Sequence, residues 1–271
     1  MDILKLPFSK SSRELNLGDT RGCEDAPERL HGLYSEQRAR KVAFIASGGV
    51  IPDLSFKNVP NLAHANDWIS DLLIKNQYAP RAGFVGGDHS VTYNTFKEFS
   101  NLWGENKALL ISLDAHPDLT KKSKGNPYNS DWLRFLIDGR YVSPDRVLGF
   151  GWRDIEDAEL AYAKDKNIKW FKVEDAPTFE AFHLPQIRIH PKLFKTYLTI
   201  DLDVLSPAFA PGVSTPSHFG LTDRELISLI RKLVKTFEIC AFDVVELNPS
   251  RDVNGITASL ALQILYEMCP A

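Results

Sequence analysis

The 271-residue sequence predicts a parallel α/β fold, one sheet covered by helices on both faces, with residues 1–271 forming one domain. Three observations predict it. Short apolar runs rich in Val, Ile and Phe recur along the chain and are too short to be independent helices. Longer segments with helical periodicity lie between them. Most of the runs are apolar without interruption, the pattern of strands buried on both faces, and strands that alternate with helices pair in parallel.

The strands are expected at KVAFIAS (41–47), AGFVGG (82–87), ALLISLDAH (108–116), RVLGFG (146–151), KWFKV (169–173), YLTIDLDVL (197–205) and EICAFDVVEL (238–247). A helix is expected over 61–76, where Leu62, Ala65, Ile69, Leu72 and Leu73 share a face. Another spans Thr222 to Phe237. Thr222 and Glu225 form a capping box there, and Leu226, Ile230, Leu233 and Phe237 make an apolar stripe. ITASLALQILYEM (256–268) is a closing helix, and 174–195, with Pro177, Pro185 and Pro191, an irregular excursion.

Composition narrows the function. At 44% hydrophobic and 25% charged residues the chain suits an ordinary globular protein. A net charge of -3 gives no electrostatic case for binding nucleic acid or an anionic membrane. No run of about 18 apolar residues is present to span a bilayer. The opening MDILKLPFSKSSREL lacks the apolar core of a signal peptide. Three cysteines, Cys23, Cys240 and Cys269, form no CxxC pair and are odd in number. A reducing cytoplasm is therefore expected.

The chemistry gathers where strands end. In open α/β sheets ligands bind beyond the carboxyl ends of the strands. AGFVGG is followed by Asp88 and His89, ALLIS leads to Asp114, His116 and Asp118, YLTI to Asp201 and Asp203, and CAFDVV to Glu246. Carboxylates clustered so densely repel one another or raise one another's pKa unless a cation neutralises them. A carboxylate-rich set with some imidazole favours Mn²⁺, with Zn²⁺, Fe²⁺, Co²⁺ and Ni²⁺ as alternatives. Four aspartates and two histidines exceed one tetrahedral ion and suffice for two ions sharing bridging carboxylates. A water between such ions loses its proton near neutral pH and becomes a nucleophile.

With those residues in view, the sequence resembles the ureohydrolase family of arginases, agmatinases and formimidoylglutamases. The motifs are GGDHS (86–90), DAHPD (114–118), DLDVLSPAFAPGVSTP (201–216) and DVVELNPSRD (243–252), supported by GCEDAPERL (22–30) and GFGWRDIE (149–156). The resemblance runs from about residue 18 to the C-terminus. It implies a three-layer α/β/α fold with a mostly parallel sheet and a centre of two Mn²⁺. It also implies Asp114 and Asp201 as bridges, His89 and Asp118 on one ion, and His116 and Asp203 on the other. Asp88 would orient a ligand, Asp118 would carry a proton to the leaving amine, and Glu246 would hold a guanidinium by charge-assisted hydrogen bonds. The implied activity is hydrolysis of a guanidino compound by a metal-bridging hydroxide, releasing urea, in a homo-oligomer that relatives form as trimers or hexamers.

The segment after DAHPD departs from the family. LTKKSKGNPYNSDWLRFLID (119–138) lacks the histidine, within an HG pair, that many arginases and agmatinases carry, and Tyr128, Asn129 or Ser130 takes its region. Formimidoylglutamases lack that histidine too, so hydrolysis of a formimino substrate is the alternative activity. A binding protein with little catalysis is the alternative of another class. DWLRFLI (131–137) is expected to form a short helix with Trp132, Phe135 and Leu136 packed inward. Lys121, Lys122 and Lys124 would favour a substrate with a distal carboxylate if the loop curls over the site. Ser206 stands where the family has Asp, and Phe219 where it has Gly. His218 is expected in a surface loop, and the other histidines carry no motif context.

Overall fold

Eight parallel strands form the centre of the computed structural model, in the order β2-β1-β3-β8-β7-β4-β5-β6. The structure describes residues 2–8, 22–40, 55–58, 65–76, 81–121, 125–179 and 189–269. The strands are β1 (Asp2–Leu6), β2 (Ser55–Asn58), β3 (Ala82–Gly86), β4 (Ala108–Leu113), β5 (Val147–Phe150), β6 (Lys169–Phe171), β7 (Lys195–Asp201) and β8 (Ile239–Val245). Helices are α1 (Ala26–Arg40), α2 (Ala65–Lys75), α3 (Val91–Trp103), α4 (Trp132–Asp138), α5 (Asp157–Asp165), α6 (Asp223–Thr236) and α7 (Ile256–Met268).

Residues alternate between two cores, as the two-residue period of a strand requires. Leu109, Ile111 and Leu113 of β4 join Leu198 and Ile200 of β7 under α1, α6 and α7, whose Leu30, Leu229, Leu233 and Leu262 close that face. Ala108, Leu110 and Tyr197 point the other way, toward Leu72 of α2, Phe96 and Phe99 of α3, and Leu136 of α4. Helices cover both faces, which gives the three-layer α/β/α arrangement. The capping box holds: Thr222 Oγ1 accepts from the Glu225 N–H at 3.2 Å, and Glu225 Oε2 from the Thr222 N–H at 2.8 Å.

Of the predicted strands, six have counterparts, and 41–47 lies outside the described residues. The expected helix over 61–76 is described as Ala65–Lys75, and the excursion is described only over 174–179 and 189–195, with short 3₁₀ turns. Strand β1 escapes a reading by apolar runs because Lys5 interrupts it. The Lys5 side chain is nevertheless buried, its ammonium donating to Glu28 at 2.5 Å.

Register aligns the site. Leu113 pairs with Ile200, Ile200 with Val244, and Val244 with Val85, making one row across β4, β7, β8 and β3. Those strands are adjacent at the middle of the sheet. Just beyond the row come Asp114, Asp201, Glu246 and Asp88.

Candidate functional site

Gly87 shows why this rim needs a particular sequence. Its N–H donates to Leu6 O at 3.0 Å and its carbonyl accepts from the Glu246 N–H at 2.9 Å, so three strand ends are tied at one residue. A Cβ there would stand 2.1 Å from Phe8 O, a backbone atom that cannot swing away. The chain then turns so that the His89 N–H donates to Glu246 Oε1 at 2.9 Å.

Three of the four aspartates are held alike, with one oxygen on a backbone N–H. Asp114 Oδ1 accepts from His116 N (2.7 Å), Asp201 Oδ1 from Asp203 N (2.8 Å) and Asp203 Oδ1 from Ala115 N (3.0 Å). The second oxygens face inward. Asp114 Oδ2, Asp118 Oδ2 and Asp201 Oδ2 lie 3.0, 3.1 and 3.1 Å from His89 Nδ1. Asp203 Oδ2 lies 2.9 Å and Asp114 Oδ1 3.7 Å from His116 Nδ1. Two groups follow, His89 with Asp114 and Asp201, and His116 with Asp114 and Asp203, each close enough to hold a metal ion. Asp114 belongs to both.

The donor set fits divalent cations on two observations of the protein itself. His89 Nδ1 and Asp114 Oδ2 are buried and make no hydrogen bond, an arrangement that costs free energy unless an ion binds there. His89 Nε2 lies 2.8 Å from Thr199 Oγ1, the outer contact that fixes a ligating imidazole with its other nitrogen turned inward.

Electrostatics point the same way. Burial raises the Asp118 carboxyl, with the Asp114 charge adding to it, to about 7. Burial raises Glu246, with Asp88 adding to it, to about 8. Burial also raises Asp201, helped by the charges of Asp203 and Asp114. On His89, burial pulls the pKa down, but the carboxylates of Asp114, Asp118 and Asp201 close around Nδ1 outweigh it and the imidazole sits well above its usual value. His116 is raised likewise, burial being outweighed by the Asp203 charge and its contacts with Asp114. Left to themselves, the side chains take up protons because the cluster needs positive charge.

The cluster floors a cavity of about 390 Å³. His89, His116, Asp118, Asp201, Asp203 and Glu246 all line it, and of the six expected ligands only Asp114 lies beneath the surface. Asp88 is buried beside it, its Oδ1 taking the Ser90 N–H and hydroxyl. From the divergent segment Asn129 and Ser130 reach the cavity, while Tyr128 is not part of its lining. Lys121 is exposed and does not line it, and Lys122 and Lys124 fall outside the described residues. His218 is exposed, and its carbonyl accepts from Arg153 at 2.7 Å. Phe219 takes φ 59°, the left-handed region that suits the family's glycine, with its ring 90% exposed.

Several wall residues escaped sequence reasoning. Asp154, Glu156, Glu159, Thr120 and Thr215 line the cavity; the motifs GFGWRDIE and DLDVLSPAFAPGVSTP contain Asp154, Glu156 and Thr215 without marking them as site residues. Thr199 had a signal, since it precedes Asp201 by two and so shares its side of β7. Asp118 (φ 52°) and Glu246 (φ 65°) also occupy the left-handed region, a strained conformation for a non-glycine residue.

Comparison with known proteins agrees. The arginase family model matches residues 14–270. An agmatinase of Halalkalibacterium halodurans is 30% identical over 239 residues, 87% of this chain and 78% of the relative. A mitochondrial arginase of Arabidopsis thaliana is 31% identical over 203 residues, 72% of this chain and 56% of the relative. In structure, the formimidoylglutamase of Bacillus subtilis superposes with a TM-score of 0.79 at 22% identity, covering 99% of this chain and 85% of that one, a likeness of fold. The chain thus belongs to the arginase family, hydrolases of carbon–nitrogen bonds in linear amidines.

Proposed function

We propose that the protein hydrolyses a small guanidino compound whose far end carries no carboxylate, releasing urea. His89, Asp114, His116, Asp118, Asp201 and Asp203 would hold two Mn²⁺, with Asp114 belonging to both groups of donors. Bound there, the ions would supply the positive charge that activates water and stabilises charge developing on the substrate.

The remaining steps belong to side chains. Glu246 lines the cavity with Oε1 taking the His89 N–H at 2.9 Å and Oε2 the weakly donating Cys23 thiol at 3.7 Å, and would offer its carboxylate to a guanidinium. Asp118, which lines the cavity beside His89, is placed to take a proton from water and pass it to the leaving amine. The three cysteines are free, which suits the reducing cytoplasm in which we place the protein. Among the described residues no helix is long and apolar enough to cross a membrane.

The observation that carries the substrate assignment is the lining. Beyond the metal-holding set, the cavity presents Asp154, Glu156, Glu159 and Glu246, and no Lys or Arg among its described lining residues. A cationic guanidine is attracted there, whereas a distal carboxylate, as on formiminoglutamate, meets like charge. Of the lysine-rich segment, Lys121 does not line the cavity, and Lys122 and Lys124 lie outside the described residues.

The test is a screen of Mn²⁺-loaded protein for urea and formamide release from agmatine, arginine, guanidino acids and formiminoglutamate. Urea from agmatine in preference to the guanidino acids is expected. Formamide as the main product would favour the formimino alternative. No product from any of them, with two ions bound per chain, would return the chain to a binding role.

A further inference from the structure

The segment that lacks the family's histidine brings a tryptophan to the site instead. Trp132 opens α4 and is fully buried. Its indole N–H, the side chain's single polar group, donates to Asp118 Oδ2 at 2.5 Å. Its ring lies against His89, with centroids 4.6 Å apart and planes at 37°. One side chain thus touches two residues of the candidate centre, from an element that carries none of the ligands.

Asp118 differs from its neighbours in a way that explains the need. Asp114, Asp201 and Asp203 each have an oxygen fixed by a backbone N–H of the site's own loops. The described hydrogen bond to the Asp118 carboxylate comes from the indole. Asp118 also sits at φ 52°, which β-carbon sterics disfavour, so its position must be imposed from outside. Glu159 contributes, its Oε1 accepting from the Leu119 N–H at 2.9 Å.

The surrounding chain seats the tryptophan. The Thr120 N–H donates to Ser130 O at 3.1 Å, and the Thr120 hydroxyl to the same carbonyl at 2.9 Å. Arg134, in the first turn of α4, reaches back to Leu119 O at 3.4 Å. The segment therefore folds back onto the residues that follow Asp118, and Trp132 enters the core at a fixed distance from them.

We propose that Trp132 is a positioning residue: its indole N–H sets the Asp118 carboxylate, and its ring the His89 imidazole, in the orientation that binds one of the two ions. The proposal rests on the metal-centre reading above, and the experiment separates the two.

Wild type, Trp132→Phe and a folding control, Leu136→Ala, would be titrated with Mn²⁺, with free Mn²⁺ followed by its electron paramagnetic resonance signal. Leu136 is buried on the same helix and makes no described contact with Asp118. Losing an outer-shell partner typically weakens metal binding about 10–100-fold. We expect that loss at one of two sites in Trp132→Phe, with the other site unchanged and both unchanged in Leu136→Ala. Mn²⁺ should also quench tryptophan emission in the wild type, and that component should vanish in Trp132→Phe. Should Trp132→Phe fail to fold, benzothienylalanine at position 132 keeps the ring shape and removes the N–H. Wild type that binds two ions while both donor-less variants bind them equally well would overturn this proposal alone. Wild type that binds none would overturn the centre with it.

Discussion

Removing divalent cations should make the stability of this protein fall as pH rises, and restoring Mn²⁺ should abolish that fall. The side chains alone hold Asp118 at about 7 and Glu246 at about 8, both raised first by burial. In the unfolded chain such carboxyls titrate near about 4. Between those limits the folded state binds protons that the unfolded state has released, so stability declines with pH. His89 and His116, raised by their aspartates, act in the same direction above the usual histidine value of about 6.5. Asp114 is lowered, its contacts with His116 and His89 outweighing burial, and acts oppositely only in acid, below about 4. Each excess proton is worth about 1.4 kcal/mol per pH unit. Carrying Asp118 and Glu246 from about pH 6 to about pH 8 integrates to about 4 kcal/mol. At about 2 °C per kcal/mol for a chain of this length, Tm should drop by roughly 8 °C. Calorimetry of protein dialysed against EDTA, beside Mn²⁺-loaded protein, reads this directly at three pH values. Melting curves that run parallel with and without Mn²⁺, or a stripped protein that gains stability toward pH 8, would refute the reasoning.

Other consequences are checked more briefly. Asp203→Ala should abolish hydrolysis and reduce bound Mn²⁺ toward one ion per chain, counted by elemental analysis; full activity would contradict the assignment. Thr199→Val keeps the shape beside His89 but removes its partner at 2.8 Å, and should weaken Mn²⁺ binding about 10-fold in a titration while the melt moves by a few degrees. Gly87→Ala places a Cβ 2.1 Å from Phe8 O and should prise β1 from the rim, read as a lower Tm together with lost Mn²⁺ binding. Leu233→Ala, in the buried stripe of α6, should cost about 2–5 kcal/mol in denaturant unfolding without changing the Mn²⁺ count.

Much of this was legible in the sequence because it is local. Uninterrupted apolar runs need two covered faces, so a parallel sheet between helix layers follows from composition and period alone. Asp114, His116 and Asp118 announce themselves because such groups at a buried strand end demand a cation. The capping box at Thr222 is likewise contained within four residues of chain. Strand β1 was hidden by Lys5, whose burial depends on Glu28, 23 residues away.

Tertiary structure decided what neighbours what. The order β3-β8-β7-β4 brings together strand ends as distant in the chain as His89 and Glu246, and register sets them in one row. That Thr199 stands behind His89, and that Asp154, Glu156, Glu159 and Glu246 form one acidic wall, is set by packing between distant segments. Trp132 shows the difference most clearly. By period it is a core residue on a short helix, and it is that; only the folded chain reveals that its one polar atom, which burial obliges to find a partner, finds Asp118. Residue type and spacing determine which groups are costly to bury, while long-range contacts determine which of them meet.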